Sequence, residues 1–272
     1  MTYDRLSLGE LLVDASGEEV HPYIPDNFTD LDEYSEFKFG NGEVGEKYGS
    51  MLGRLVLQGN QPEALFDESR IYIASSAYRV APPASETLVY PFVESANAAA
   101  REAGSLAHFE RLKISKARMA TDNYAAMSFE ERSMTIQNDL ALPKDLDLEG
   151  KKVVVLDDIR VTGLREAALK LLLENAGVAH TSFYYILDAP EGRKYPQTEA
   201  VININSVRSI EDVLELAQKP GFIPNVRMCK FLLSQSIADI EHFLGAIPKE
   251  VASTITKYIT EDNLREVVKA IP

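Results

Sequence analysis

The sequence predicts an α/β fold built on a parallel sheet, followed by a helical C-terminal extension. Short apolar runs rich in β-branched residues alternate with segments of helical periodicity. Polar and charged residues stand directly after these runs, where the carboxyl ends of parallel strands present loops to a ligand. From Ile210 onward the periodicity is helical almost throughout, which adds the extension.

The central strand is the clearest predicted element. Val153–Leu156 is a run of four apolar residues, three of them β-branched, typical of a strand buried on both faces. Asp157 and Asp158 follow, and a tight turn then opens a helix. A helix amino terminus can bind phosphate, and carboxylates accept hydrogen bonds from sugar hydroxyls, so the stretch predicts a ribose 5-phosphate site. The turn and the helix start consist of Ile159, Arg160, Val161, Thr162, Gly163, Leu164 and Arg165.

Further strands complete the predicted sheet. Arg70–Ala74 and Phe109–Ile114 precede the central strand, and Thr181–Asp188 follows it. A long amphipathic helix is expected over Ala84–Ala103, and Val201–Ile204 is expected to add one more strand. This order of strands and helices predicts a parallel, right-handed arrangement.

The N-terminal part has weaker signals. Residues 1–35 mix acidic residues with prolines and aromatic side chains, which predicts an irregular lead-in with a short helix at Leu8–Val13. Phe37–Gly45 contains the spacing G-x-G-x-x-G, but no apolar strand precedes it, so a dinucleotide site is not favoured. We interpret it as a turn entering a helix that reaches Leu57, with a substrate-facing role left open.

Composition restricts the partners and the compartment. The formal net charge is -14 over 272 residues, which disfavours nucleic acid and anionic membranes as partners. Cys229 is the single cysteine, so no internal disulfide forms, and a reducing cytoplasmic setting is expected. No signal peptide and no apolar run of membrane-spanning length is apparent. The sequence does not determine the oligomeric state, and a homodimer is left open.

The central stretch resembles the phosphoribosyl-diphosphate (PRPP) loop of the type I phosphoribosyltransferases. The shared pattern is an apolar strand, an acidic pair, three intervening residues, Thr-Gly and a helix, with Thr162-Gly163 its most diagnostic step. Arg160 departs from the pattern, because the family usually has an aliphatic residue there. The resemblance implies Mg²⁺-dependent transfer of ribose 5-phosphate from PRPP to a nitrogenous base or related acceptor, with release of diphosphate.

The same resemblance implies roles for residues outside the motif. Asp157 and Asp158 would hold the ribose, directly or through Mg²⁺-bound water. The first loop, which holds the diphosphate in this family, would consist of Ser75, Ser76, Ala77, Tyr78 and Arg79. A flexible catalytic arm would contribute Lys113, Lys116 and Arg118, although a solvated basic loop accounts equally well for these residues.

A variable hood covers the acceptor in this family. Phe222, Asn225 and Arg227 could stack on and hydrogen-bond a base there, and an ordinary packed turn between helices is the alternative. The expected division is a lead-in over residues 1–60 that contributes to the hood, a phosphoribosyltransferase core over 61–205 and a helical region over 206–272. The wider layout resembles bacterial phosphoribosyltransferase-like proteins linked to tellurite-resistance and stress gene clusters.

Two functions remain open from the sequence. One is an enzyme, including one that runs the reaction in reverse, and the other is a PRPP- or nucleotide-sensing protein that has lost turnover. Arg160 and the modest diphosphate loop keep the sensor open. Because adjacent carboxylates repel each other, we expect asparagine at positions 157 and 158 to leave the stability of the free protein unchanged or slightly raised.

Overall fold

The computed structural model describes residues 2–14, 21–25, 30–56, 70–116, 139–192, 194–195 and 197–265. Its strands are β1 (Thr2–Glu10), β2 (Leu12–Asp14), β3 (His21–Tyr23), β4 (Arg70–Ser75), β5 (His108–Arg111), β6 (Ser115–Lys116), β7 (Leu140–Ala141), β8 (Lys152–Arg160) and β9 (His180–Asp188). Its helices are α1 (Leu31–Lys38), α2 (Gly42–Leu55), α3 (Val89–Glu102), α4 (Leu164–Asn175), α5 (Thr198–Asn203), α6 (Ile210–Gln218), α7 (Val226–Leu233), α8 (Ile237–Ala246) and α9 (Lys249–Glu261). A 3₁₀-helix over Ala84–Leu88 precedes α3.

The core is a five-stranded parallel sheet in the order β1-β9-β8-β4-β5, which confirms the predicted fold class. The chain passes from β4 outward to β5 and then returns to β8 on the other side of β4. The strand order therefore reverses between β4 and β8, and ligands of open α/β sheets bind at the carboxyl ends of strands at such a point.

An open crevice follows from the unequal lengths of the central strands. β4 pairs with β8 only as far as Ser75, opposite Leu156. β8 continues beside β9 until Arg160 pairs with Asp188. The last residues of β8 thus have a strand on one side only, and this part of the sheet borders the crevice.

The two faces of the sheet pack on different helices because side chains alternate along a strand. Val154 and Leu156 face the cluster that contains side chains of α2 and α3. Val153 and Val155 face the cluster that contains side chains of α4. Both faces of β8 are buried, which explains its nearly unbroken apolar sequence.

The N-terminal prediction was wrong. Instead of an irregular lead-in with a helix at Leu8–Val13, Thr2–Glu10 forms β1, which pairs with β9 along its length. β1 is an edge strand of the sheet, so it carries polar residues among its apolar ones, and Leu6 and Leu8 pack against the core. The proposed division of the chain at residues 60 and 205 stays a prediction.

The strand predicted at Val201–Ile204 was also wrong, because this segment belongs to α5 and the turn after it. Thr198 and Ile202, four residues apart, are fully buried, whereas Val201 and Ile204 are exposed, and this spacing suits a helix with one inward face. The helical periodicity predicted from Ile210 onward is confirmed by α6, α7, α8 and α9 within the described residues. None of the described helices is long and apolar enough to cross a membrane.

The C-terminal helices have their own apolar cluster, and polar contacts tie them to the loop after β4 and to α1. The cluster includes Phe39, which comes from the segment after α1. Asn225 Nδ2 donates to the carbonyl oxygen of Lys38 at 3.1 Å. The backbone N–H of Ala81 donates to Asp262 Oδ2 at 2.7 Å. These ties place α7 and the end of α9 beside the crevice.

An ion pair fastens β1 to the rest of the core. Nε and Nη2 of Arg5 donate to the two carboxylate oxygens of Glu166 at 2.9 and 2.6 Å, and Tyr185 donates its hydroxyl to Glu166 at 2.9 Å. Burial raises the pKa of Glu166, but the hydrogen bonds from Arg5 and Tyr185 outweigh it and hold the pKa below its usual 4.5. The ionised form of Glu166 therefore stabilises the fold.

We expect Glu166→Gln to lower the free energy of unfolding by about 1–3 kcal/mol at pH 7, because Arg5 loses its carboxylate partner. Stability from a lowered pKa is present above the unfolded value and is lost as pH falls through the folded value. The difference between wild type and variant in urea denaturation should therefore shrink below pH 4.5. Glu110→Gln, in an exposed pair with Arg70, is the control and should cost under about 0.5 kcal/mol. Equal costs for both variants would contradict the prediction.

Candidate functional site

A cavity of about 810 Å³ opens at the carboxyl ends of β4 and β8. Among the described residues, its lining has more cations than anions, although the whole chain is strongly acidic. Such a cavity favours an anionic ligand. The cations are Lys38, Arg79, Lys116, Arg160, Arg165, Arg227 and Lys230, and the anions are Asp157, Asp158, Glu166, Glu199 and Asp262.

The acidic pair lies near the end of β8, where β4 no longer covers it. Asp157 and Asp158 are 6% and 5% exposed, so each ionised carboxylate needs partners inside the protein. Arg165 Nη1 lies 2.8 Å from Asp157 Oδ2 and 4.0 Å from Asp158 Oδ1. This proximity, chiefly to Asp157, raises the pKa of Arg165.

Lys38, the last residue of α1, is the second cation, after Arg165, that contacts the acidic pair. Its Nζ donates to Asp158 Oδ2 and lies 3.4 Å from Glu199 Oε1. Burial lowers the pKa of Lys38 to about 8, and Glu199 opposes that shift. The two carboxylates that contact Lys38 favour its charged form.

Glu199, in the first turn of α5, links this cluster to α7. Besides Lys38 it faces Arg227, whose Nη2 lies 3.6 Å from Glu199 Oε1. Burial raises the pKa of Glu199, but Lys38, Arg165 and Arg227 outweigh it and lower the pKa. Carboxylates and cations thus alternate across the floor of the cavity.

The turn between β8 and α4 has the form expected of a phosphate-binding loop. Gly163 occupies the N-cap position of α4 with φ 75°, a left-handed conformation. A Cβ there would meet only the Arg160 side chain, at 3.8 and 3.9 Å, so the space over the helix start is open. The cavity lining includes every residue from Ile159 to Arg165.

Arg160, the departure from the family pattern, is used inside the protein. Its Nη1 donates to Asp188 at 2.8 Å, and its Nε lies 3.4 Å from Glu166. It joins β8 to β9 and α4 at the rim of the phosphate loop.

The loop after β4 forms the opposite wall. Ser76, Ala77, Tyr78 and Arg79 line the cavity, whereas Ser75 is buried beneath it and donates to Glu86 at 2.5 Å. The Ser76 hydroxyl is buried without a hydrogen-bond partner among the described residues. It is therefore available to a ligand in this wall.

The residues assigned to the catalytic arm separate. Lys116 lines the cavity, and burial together with Arg165 and Lys230 lowers its pKa. Lys113 does not line the cavity and donates to the backbone oxygen of Arg79 at 2.9 Å. Arg118 lies outside the described residues. The catalytic roles of all three stay predictions.

The residues assigned to the hood also separate. Arg227 lines the cavity, whereas Phe222 and Asn225 do not. Asn225 Oδ1 accepts from the N–H of Met228 at 3.0 Å as the N-cap of α7, and its amide nitrogen holds Lys38. This arrangement matches the packed turn that the sequence left as the alternative for Asn225.

A family model described as "PRTase ComF-like" matches residues 24–264. The chain belongs to the ComF-like phosphoribosyltransferase family. No curated protein gives a match to this ComF-like chain.

Several solved phosphoribosyltransferases are similar to this ComF-like protein. A hypoxanthine phosphoribosyltransferase from Staphylococcus aureus has 15% identity, covers 55% of this chain and 67% of that chain, and has a TM-score of 0.33. A hypoxanthine-guanine phosphoribosyltransferase from Bacillus anthracis has 20% identity, covers 63% of this chain and 78% of that chain, and has a TM-score of 0.35. The hypoxanthine-guanine phosphoribosyltransferase from L. donovani has 12% identity, covers 58% of this chain and 74% of that chain, and has a TM-score of 0.39.

The acidic pair of this ComF-like protein does not fit a directly bound Mg²⁺. Each of its four carboxylate oxygens faces a protein donor: the N–H of Asp158, Arg165, the N–H of Ile159 and Lys38. Among the described residues, no group of three or more His, Cys, Asp or Glu is arranged to hold a metal ion. Magnesium dependence therefore stays a prediction.

Sequence reasoning missed five charged residues of the cavity lining: Lys38, Glu166, Glu199, Lys230 and Asp262. A signal for Lys38 exists, since a lysine between Phe37 and Phe39 at the end of a helix is placed among buried side chains. Glu199 and Lys230 have no comparable signal, because each looks like a solvated residue of an amphipathic helix.

Proposed function

We propose that this ComF-like protein binds PRPP and transfers its ribose 5-phosphate to a nitrogen of an acceptor, releasing diphosphate. One observation carries the proposal. A buried carboxylate pair and an open loop at a helix amino terminus meet at the switch point of a parallel sheet. The family match is consistent with this ligand.

The ligand would extend along the cavity from α4 to the loop after β4. Its 5-phosphate would accept from the N–H groups at the start of α4, where Gly163 leaves room. The ribose hydroxyls would donate to Asp157 and Asp158. The diphosphate would lie against Ser76–Arg79, with Lys116 as a second source of positive charge.

In the transfer step, the bond between the anomeric carbon and the diphosphate oxygen breaks, and its electron pair leaves with the diphosphate. The lone pair of the acceptor nitrogen forms the new bond to that carbon. Positive charge develops on the sugar, so carboxylates beside it favour this state over the ground state. Lys38 and Arg165 partly neutralise the pair, and the hydroxyls must share the oxygens of Asp157 and Asp158 with them.

The acceptor would enter from the wall formed by α5 and α7. Arg227 and Lys230 stand one helical turn apart on α7 and both line the cavity. Burial, followed by the charge of Arg227, lowers the pKa of Lys230. The wall offers donors to carbonyl or acidic groups of an acceptor, while Glu199 accepts from N–H groups.

The proposal includes the setting expected from composition. The buried free thiol of Cys229, whose pKa burial raises to about 12, suits a reducing cytoplasm. The net charge of -14 favours a small phosphorylated ligand over nucleic acid or a membrane.

A second candidate is a PRPP- or nucleotide-sensing protein without turnover. The contact of Lys38 with Asp158 favours it, because a cation at the pair weakens stabilisation of a positively charged sugar. The two candidates differ in diphosphate release from PRPP in the presence of purine, pyrimidine and small-amine acceptors. PRPP binding without release supports the sensor.

We expect ribose 5-phosphate and PRPP to raise the melting temperature, because both bind only the folded chain. A ligand at one hundred times its dissociation constant adds about 2.7 kcal/mol to the free energy of unfolding. Differential scanning fluorimetry with ribose 5-phosphate, PRPP and unphosphorylated ribose is the measurement, with and without Mg²⁺. Ribose should have no effect. No shift with either phosphorylated sugar at millimolar concentration would reject the proposal.

A further inference from the structure

Lys38 is held in place more firmly than an ordinary lysine of a cavity wall. It is only 5% exposed, and its Nζ lies 5.7 Å from the ring centroid of Tyr34. Its neighbours Phe37 and Phe39 are each 1% exposed and belong to two different apolar clusters. With Asn225 bound to its carbonyl oxygen, both ends of the residue are fixed.

The ammonium group of Lys38 stands where it meets two carboxylates of different elements. Asp158 comes from β8 and Glu199 from α5. Arg165 completes the charge balance on the other side of the pair, at Asp157. Lys38, Arg165 and Arg227 thus meet three carboxylates in a cluster with no net charge.

We propose that Lys38 is a built-in counter-cation that occupies the position of a divalent metal at the acidic pair. The pair then binds no Mg²⁺ directly, and the sugar end of a phosphoribosyl ligand binds without a metal ion. The second half of this inference rests on the proposed function, and the first half does not.

Electrostatics explain why a metal ion and Lys38 exclude each other. Mg²⁺ binds proteins through one or two carboxylates and keeps several waters, so it needs free carboxylate oxygens and space around them. At Asp157 and Asp158 all four oxygens face donors. Two of these donors carry positive charge and would repel the ion.

An ion pair that serves only the stability of the fold would have different properties. It would hold the fold together without any effect on what the cavity binds, and it would not need to line the cavity. Lys38, Asp158 and Glu199 all belong to the cavity lining, where a metal ion or a ligand reaches them. Removal of the ammonium should therefore expose a carboxylate pair to solution cations.

The metal-binding test uses Mn²⁺ alone, followed by electron paramagnetic resonance of the free ion. We expect the wild type to leave millimolar Mn²⁺ free and Lys38→Met to bind it at least about tenfold more tightly, since one freed carboxylate contact is worth more than 1.4 kcal/mol. Lys38→Arg keeps the charge and should behave like the wild type. Lys47→Met removes an equal charge from an exposed pair with Glu33 and should not bind Mn²⁺.

The wild type alone can overturn the inference. Mn²⁺ binding by the wild type that Asp158→Asn abolishes would show that Lys38 does not exclude the ion. Equal Mn²⁺ affinity of a folded Lys38→Met and the wild type would also reject it. If Lys38→Met fails to fold, Lys38→Gln and the wild-type titration decide in the same way.

The ligand test is calorimetry with ribose 5-phosphate in excess EDTA and in Mg²⁺. The wild type should bind equally in both solutions, whereas Lys38→Met should bind more weakly in EDTA and recover in Mg²⁺. Wild-type binding that EDTA abolishes would reject the second half of the inference. No binding of the sugar by any variant would reject the proposed function and leave the Mn²⁺ result to decide on Lys38.

Discussion

The double variant Asp157→Asn/Asp158→Asn is expected to lose roughly 100-fold or more in affinity for PRPP. Hydrogen bonds to a charged group contribute about 1.5–3 kcal/mol each, and the variant removes two carboxylates from the ribose position. Diphosphate release should fall further than binding, because the carboxylates matter most when the sugar carries positive charge. Calorimetry and a diphosphate-release assay measure the two effects. Unchanged PRPP affinity would show that these residues do not hold the ribose.

The same variant also tests the stability of the free protein, for which the structure reverses the expectation from the sequence. Repulsion between adjacent carboxylates alone predicts no loss of stability, but Lys38 and Arg165 neutralise the pair in the fold. Asparagine at both positions removes the carboxylate partner of Arg165 and leaves the buried Lys38 with Glu199 as its one remaining carboxylate partner, so we expect a loss of about 3 kcal/mol. Glu241→Gln/Glu250→Gln, an equal charge change at exposed positions, is the control and should stay within about 0.5 kcal/mol of the wild type.

Gly163→Ala is expected to weaken ribose 5-phosphate binding by roughly tenfold or more. The new methyl group would lie in the open space over the start of α4, where it displaces a phosphate from charge-assisted bonds worth about 1.5–3 kcal/mol each. The left-handed backbone at φ 75° also costs alanine about 1 kcal/mol. Urea denaturation and calorimetry separate the two effects.

Gly150 supplies the matched control for this variant. It has φ 66°, precedes β8 at the opposite end of the strand, and has no atom within 4 Å of an added Cβ. Gly150→Ala should therefore cost about the same stability without any change in affinity. If both variants lose equal affinity, the effect comes from general destabilisation and not from the phosphate loop.

The central part of the fold could be predicted because local sequence determines it. Val153–Leu156 has the apolar, β-branched composition of a strand that is buried on both faces. In Thr162-Gly163, the glycine suits the left-handed backbone conformation at the N-cap of the helix. The acidic pair and its loop were thus placed from thirteen residues. β1 escaped prediction because an edge strand needs one buried side only, and its Asp4 and Arg5 look like a polar lead-in.

The charge balance of the cavity could not be predicted in the same way. Lys38 and Asp158 meet only after α1 docks on the end of β8, and Glu199 joins them from α5, whose last residues were predicted as part of a strand. Composition gives the number of charged residues but does not predict which of them are neighbours in the fold. The candidate roles of Phe222, Asn225 and Lys113 came from position in the chain, which does not show whether a side chain reaches the cavity.

The contacts that close the cavity have a kinetic consequence. Lys38 and Asp158 are 120 residues apart, Ala81 and Asp262 are 181 apart, and Lys38 and Asn225 are 187 apart. We expect pairs so distant to come together late in folding, because long loops must close first. The binding site in the cavity would then not yet be formed in the transition state for folding, so a ligand could not stabilise that state. The ligand should slow unfolding and leave the folding rate unchanged, so bound ligand lengthens the lifetime of the native chain.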